Sequence, residues 1–498
     1  MNLDLKLQEH AESRPENPAI GWDSGELTYR QLNEQVQKLA NRFTERGIRS
    51  GDKIAIILEN SPELVISYYA SMRAGAINVT VNPALTSREF GIILNDCRPE
   101  IIITESKIAE RVKNSGLDWP VELMVTGPDF DRYIDQGAVE AGGGSRYQEA
   151  CTILYTSGTT GVPKGAVLTH DNLYVNAEVF GRNLGLTARD RSLIVAPLTH
   201  IAAQTNQLNT TLISGGFCYL MKRWKSTAET LGKMEEQRIT YFFGPPTMIT
   251  YMLNEPNLTD YDLKLRLTYT GAAPLPEEIF QRWAKLFGFE IIEGYGLTET
   301  SPVVCMNPVE GEKKLRSVGL PIEDVEVKIM SDAFEEMPPG TPGELVVKGP
   351  NVMKGYYERE EENRKAFRDG WFKTGDIAMK DDEGYIYIVD RKKDLIIRSG
   401  FNIYPREVEE VLYMHPAILE AAVIGSPHPE KGEMVVAMLT LRDGYDESVI
   451  EELEPFCRER LATYKVPSEF RVIEEFPKTN SGKIMKTKLK KVAVRQIL

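Results

Sequence analysis

Strictly alternating strand and helix signals constrain this chain more than any single motif. Residues 28–47 place apolar side chains at helical spacing, with Leu32, Val36 and Leu39 on one face. Lys53 to Leu58 then reads as a buried strand, residues 62–74 return to helix and end at Gly75, and Ala76 to Val81 is strand again. The alternation recurs around residues 191–250 and 265–300. Such a chain builds an α/β architecture with a largely parallel sheet. At 498 residues it is too long for one hydrophobic core, so two to four structural units are expected. Residues 136–146, rich in glycine, read as a flexible loop.

Charge and cysteine usage narrow the function classes. The formal net charge is −14, which argues against a general nucleic-acid binder, because phosphate backbones select basic surfaces. An acidic protein that binds anionic substrates must focus positive charge locally. The five cysteines are scattered, and no pair has metal-ligand spacing. Reduced structural thiols and a cytoplasmic location are expected, with no signal pattern at Met1 and no transmembrane segment. The partners expected are small molecules, and self-association into a homodimer stays open.

The ten residues from Tyr155 to Lys164 carry five hydroxyl groups, two glycines and a lysine, directly after the apolar run Ile153, Leu154, Tyr155. Glycines let backbone N–H groups converge and hydroxyls add donors, a combination suited to a polyphosphate. The spacing is not that of a Walker A loop. The order Thr156, Ser157, Gly158, Thr159, Thr160, Gly161, Val162, Pro163, Lys164 resembles the phosphate-binding loop of the adenylate-forming superfamily. That superfamily includes acyl-CoA synthetases, luciferases and peptide-synthetase adenylation domains.

Five further segments fit the family's motif order. Pro197, Leu198, Thr199 and His200 resemble the segment that borders the acyl pocket. Ile201 follows where amino-acid adenylation domains carry an aspartate for the substrate ammonium, a role an apolar side chain cannot fill. Gly271, Ala272 and Ala273 resemble the segment against which adenine lies. Glu293 to Thr300 reads as a turn whose flanking Gly294 and Gly296 present the Tyr295 ring for stacking on a base. Thr298 and Glu299 supply oxygens there. Magnesium prefers hard oxygen ligands, so Glu299 is the metal candidate, and the resemblance adds Thr160. A helix-capping role for Thr298 is compatible with this. Asp376 and Arg391 match the ribose-binding pair, a carboxylate to accept from two hydroxyls and a guanidinium opposite. Lys483 matches the terminal lysine that reaches the carboxylate and the α-phosphate.

The resemblance spans about residues 25 to 490. It implies a large N-terminal domain of several subdomains with parallel-rich sheets, residues 1–392, and a small mobile α/β C-terminal domain, residues 393–498. Lys393 occupies the hinge position, and Gly400 matches the glycine past which pantetheine slides. The resemblance also implies ATP, Mg2+ and coenzyme A, with a carboxylic acid activated as its adenylate, then transferred to the thiol with release of AMP and pyrophosphate. On a helix, Ala203, Gln204 and Gln207 would share the face of His200 and line the acyl pocket, with Gly294 and Val303 nearby. The segment Phe243 to Met248 adds apolar candidates. Similarity of residues 344–425, Gly349 to Tyr357 among them, to bacterial fatty-acyl-CoA ligases makes a medium- or long-chain fatty acid the expected substrate. An aromatic or other organic acid is the alternative. A luciferase-like oxygenase and an adenylation module remain as non-CoA alternatives. The second is disfavoured by Ile201 and by a chain that stops shortly after Lys483, and acetate by the lack of a longer N-terminal extension.

Overall fold

A computed structural model describes residues 2–139, 149–156, 163–392, 394–399, 401–428, 432–478, 484–486 and 488–490. Among these residues the strands form four sheets. A seven-stranded sheet orders Gly355–Tyr356, Lys164–Thr169, Ala150–Thr156, Ile77–Thr80, Lys53–Ile57, Ile101–Thr104 and Glu122–Val125. From Ala150–Thr156 onward its strands pair in parallel. The helices Pro62–Arg73, Ser87–Cys97 and Ser106–Lys113 provide the crossovers. Ile54, Ala55, Ile56 and Ile57 are all fully buried, because a parallel sheet covered on both faces leaves no solvent side.

The expected first helix is Tyr29–Glu45, one residue later than the hydrophobic pattern suggests. Thr28 caps it: its hydroxyl accepts from the Gln31 N–H while the Gln31 side chain bonds back, which holds Thr28 in extended backbone. Leu32, Val36 and Leu39 are buried as expected.

A nine-stranded sheet orders Leu320–Pro321, Val303–Met306, Ile292–Gly296, Leu267–Thr270, Tyr241–Phe243, Arg191–Ile194, Phe217–Leu220, Pro18–Trp22 and Gly25–Thr28. Its centre, from Ile292–Gly296 to Pro18–Trp22, is parallel. An antiparallel sheet of Glu326–Met330, Gly343–Lys348, Trp371–Lys380, Phe367–Arg368 and Ile386–Arg391 completes the larger body. Arg391 is the last residue of the strand Ile386–Arg391.

The fourth sheet holds Phe401–Ile403, Ile396–Arg398, Gly432–Leu441 and Ile418–His428, with Glu469–Val472 alongside in parallel. The helix Pro405–Tyr413 packs on it, with Pro405 in the first turn where no intrahelical N–H is needed. Ile396, Val408, Leu412, Val423, Leu439 and Leu453 form a hydrophobic core distinct from that of the larger body. The α/β class with parallel-rich sheets and a smaller second unit is thus the observed one.

Among the described residues, polar contacts join the two. The Arg406 N–H donates to Asp390 Oδ2 at 2.8 Å and its guanidinium to the Ile388 carbonyl at 2.5 Å. Arg442 approaches Glu278 at 3.5 Å. All five cysteines are free and buried. Among the described residues, no helix is long and apolar enough to cross a membrane.

Candidate active site

The expected ribose pair is assembled by strand register. Asp376 and Arg391 stand directly opposite each other on the antiparallel strands Trp371–Lys380 and Ile386–Arg391. The Arg391 Nε lies 3.4 Å from Asp376 Oδ1, and the Tyr295 hydroxyl donates to Oδ2 at 2.5 Å. Gly375, at φ +73°, supplies the left-handed turn that lets the Asp376 N–H bond the Thr374 hydroxyl at 3.1 Å. Asp376 is buried while Arg391 is partly open, so the carboxylate is presented with a cation beside it. Burial, followed by the Asp376 charge, pushes the Tyr295 phenol well above its ordinary range, so it stays a donor.

Tyr295 itself departs from the expected turn. Residues Ile292–Gly296 are a strand. Its glycines permit close backbone approach: a Cβ on Gly294 would sit 2.2 Å from the Tyr269 hydroxyl, and one on Gly296 would sit 2.0 Å from the Pro302 carbonyl oxygen. Tyr295 thus presents a hydroxyl to Asp376 rather than riding on a loop.

The expected phosphate end is built on a hairpin. Thr156 and Lys164 oppose each other where the antiparallel strands Ala150–Thr156 and Lys164–Thr169 part. Ser157, Gly158, Thr159 and Thr160 lie outside the described residues. Lys164 Nζ sits 5.4 Å over the Tyr356 ring and 4.0 Å from Glu362. The Tyr356 hydroxyl donates to Glu299 Oε1 at 2.9 Å. Glu299 lies in the 3₁₀ turn Thr298–Thr300, and its carbonyl accepts from the Met353 N–H at 2.8 Å. Burial raises the Glu299 carboxyl above its ordinary range, and the Tyr356 hydroxyl bond opposes that rise. Thr298 is the first residue of this turn rather than its cap, and the Thr300 hydroxyl accepts from the Leu297 N–H.

At the expected acyl side lies a narrow cavity of about 20 Å³, near the size of one water, between Ala196, Pro197, His200, Phe243, Pro245, Met248 and Ala272. His200 and the segment Phe243 to Met248 therefore come together as expected. Ala272 reaches the wall from a left-handed backbone at φ +67°, and the adjoining Gly271 is buried, a Cβ there meeting the Gly294 carbonyl oxygen at 2.9 Å. Ala273 is half-buried beside them.

Ala203, Gln204 and Gln207 lie off this cavity. None of the three lines it, and from Ala203 to Asn209 the chain is a π-helix, in which spacings of three and four no longer keep one face. Gln204 Nε2 donates to Thr80 Oγ1 at 2.8 Å on one large sheet, and Gln207 Nε2 to the Leu193 carbonyl at 2.6 Å on the other. The glutamines tie the two sheets together. Val303 is buried, with Asn176 and Asn351 on its carbonyl, and is not among the wall residues.

A wider open cleft of about 350 Å³ lies between Arg189, Arg191, Arg238 and Lys264. It flanks the start of strand Arg191–Ile194, whereas ligands of open parallel sheets bind beyond the strands' carboxyl ends, where Gly271 follows Thr270. Size is therefore a poor guide here.

Lys393, Gly400 and Lys483 lie outside the described residues. Lys478 and Ile484, on either side of Lys483 in the sequence, pair in an isolated antiparallel bridge. Among the described residues no group of three His, Cys, Asp or Glu side chains could cage a metal. Sequence reasoning gave no role to Tyr356 or Arg406. A tyrosine in a Gly-Tyr-Tyr run has no local signal, and both act through partners remote in the chain.

Residues 7–357 match the AMP-binding enzyme family, and residues 407–483 match the AMP-binding enzyme C-terminal domain. The chain belongs to the AMP-binding enzyme family. Among curated relatives, this family member is 35% identical to the long-chain-fatty-acid–CoA ligase of Bacillus subtilis (strain 168), over 98% of this chain and 94% of that one. It is 37% identical to feruloyl-CoA synthase of Amycolatopsis sp, over 97% of each. Its fold superposes on the crystal structure of the anthranilate CoA ligase AuaEII in complex with anthranoyl-AMP with a TM-score of 0.94. That match has 28% identity and covers 100% of this chain and 98% of the other. The chain is an AMP-forming acid–CoA ligase, an enzyme class that uses ATP, Mg2+ and CoA.

Proposed function

We propose that this ligase activates an apolar monocarboxylic acid, a medium- or long-chain fatty acid in the first reading, and that the residues converging between Asp376 and Lys164 carry the chemistry. The observation that carries this reading is the wall of the acyl cavity, which is apolar apart from His200. With both glutamines off the cavity, no other side chain on the wall complements a second charge. The fatty-acid relative adds support across nearly the whole chain. A second reading, an aromatic acid, is favoured by the ring walls at Phe243, Pro197 and Pro245 and by the feruloyl-CoA synthase and anthranilate CoA ligase relatives.

In this reading Asp376 accepts the ribose hydroxyls, with Arg391 and Tyr295 fixing its orientation. Lys164 and the hydroxyl loop before it hold the phosphates. Mg2+ fits the same end, because Tyr356 is the only described side chain that hydrogen-bonds the Glu299 carboxylate, and a magnesium ion needs only one or two protein carboxylates beside phosphates. Bound there, it would neutralise charge on the polyphosphate. Lys483 then draws the acid's carboxylate toward the α-phosphate, holding two anions in reacting distance. We place the domain boundary at 392/393. A separate core beyond it and a polar interface before it suit a unit that reorients between half-reactions. Five free, buried thiols support a reducing, cytoplasmic setting.

The test is a panel of alkanoic, benzoic and cinnamic acids with ATP and CoA, with nucleotide products identified. AMP and pyrophosphate are expected, with activity rising along the alkyl series. ADP would overturn the residue roles. A flat alkyl profile with a sharp response to one aryl acid would replace the first reading by the second.

A further inference from the structure

Tyr356 links the two charged groups at the phosphate end, and its own placement is unusually constrained. The short strand Gly355–Tyr356 pairs with Lys164–Thr169, Tyr356 opposite Ala166. Ala166 is two residues from Lys164, so both face the same side of the strand. That register sets the aromatic ring beneath the Lys164 ammonium at 5.4 Å. The tyrosine backbone is clasped by one side chain: Asn363 Oδ1 accepts from the Tyr356 N–H at 2.7 Å, and Asn363 Nδ2 donates to its carbonyl at 3.0 Å. The phenol then reaches Glu299 Oε1 at 2.9 Å. The far side of Glu299 is anchored through its carbonyl by Met353, three residues before Tyr356.

We propose that Tyr356 is a positioning residue for the phosphate end: it fixes the Glu299 carboxylate so that one oxygen is held and the other faces the metal and polyphosphate, while its ring sets the height of Lys164. The inference rests on the reading of Glu299 as the metal-facing carboxylate. A half-buried carboxylate without this hydroxyl samples several rotamers, and only some direct an oxygen at the phosphates. Partners that orient a metal-facing carboxylate change metal affinity by about 10- to 100-fold. The cation over the ring face is held by the ring's quadrupole, which a phenylalanine retains and a leucine does not.

The experiment is calorimetric titration of ATP into the enzyme without the acid, with and without Mg2+. For the wild type, Mg2+ should tighten ATP binding. Tyr356→Phe should lose about tenfold of that tightening and leave metal-free binding unchanged, whereas Tyr356→Leu should weaken metal-free binding as well. Glu299→Gln is the reference. If Glu299→Gln keeps the full Mg2+ effect, the reading of Glu299 itself fails. If Glu299→Gln abolishes it and Tyr356→Phe matches the wild type, the positioning role is overturned. Asn363→Ala loosens the same clasp from outside the site, and should reproduce the Tyr356→Phe loss should that variant not fold.

Discussion

Replacing Glu293 by glutamine should stabilise the ligase at alkaline pH and not at acid pH. Glu293 lies in the strand that also carries Tyr295 and is 6% exposed. Its Oε1 accepts from the Leu275 N–H at 3.1 Å. Burial pushes its carboxyl up to about 7, against the opposing pull of Arg406 and the Leu275 bond. The ordinary value is about 4.5, so the folded protein holds this proton more tightly than the unfolded chain. The stability it contributes is fully present below about pH 4.5, falls as pH rises and is lost above about pH 7. The rise from about 4.5 to about 7 corresponds to about 3 kcal/mol at pH 8, the net of burial and attraction together. Glutamine keeps an acceptor for Leu275 and carries no charge to bury. Urea unfolding followed by circular dichroism at pH 5 and pH 8 measures the difference. At pH 8 the variant should gain up to about 3 kcal/mol, while at pH 5 the two proteins should nearly coincide. A variant less stable than wild type at pH 8 would mean that the attraction of the Arg406 charge outweighs burial, and the reasoning would be refuted.

Asp376→Ala should raise the KM for ATP about 10- to 100-fold through lost charged hydrogen bonds, leaving the affinity for the acid unchanged; equal losses for both substrates would contradict a ribose role. Lys483→Ala should slow adenylate formation by about 10²–10³ while sparing thioester formation from pre-made acyl-adenylate, as rapid-quench assays of each half-reaction would show. Met248→Ala should open the acyl cavity and shift preference toward longer acids, each added methylene being worth about 0.8 kcal/mol, or about fourfold in kcat/KM. An unchanged acid profile would place the pocket elsewhere.

The features legible in the sequence are those whose cause is local or ordered along the chain. The strand–helix alternation follows from hydrophobic periodicity, so the parallel core around Ile54 and Ile103 could be read directly. Asp376 and Arg391 could be named from motif order, although their opposition comes from strand register. Features that depend on remote neighbours were not legible. Glycines beside Tyr295 look like a turn until Tyr269 and Pro302 are seen packed against them. A π-helix from Ala203 to Asn209 shifts the faces along that segment, and helical periodicity carries no sign of it. The roles of Tyr356 and Arg406 exist only once distant segments meet.

The cysteines carry a practical consequence for an enzyme whose substrate is itself a thiol. All five are buried, and burial pushes Cys97 and Cys151 up to about 12 and Cys457 to about 11, with Cys218 and Cys305 raised further. Attack on disulfides requires an accessible thiolate, so the folded protein offers none to compete with coenzyme A. Oxidised coenzyme A should not form mixed disulfides with it. Its turnover can then be followed continuously with an aromatic disulfide dye, every equivalent of colour counting one unconsumed cofactor thiol.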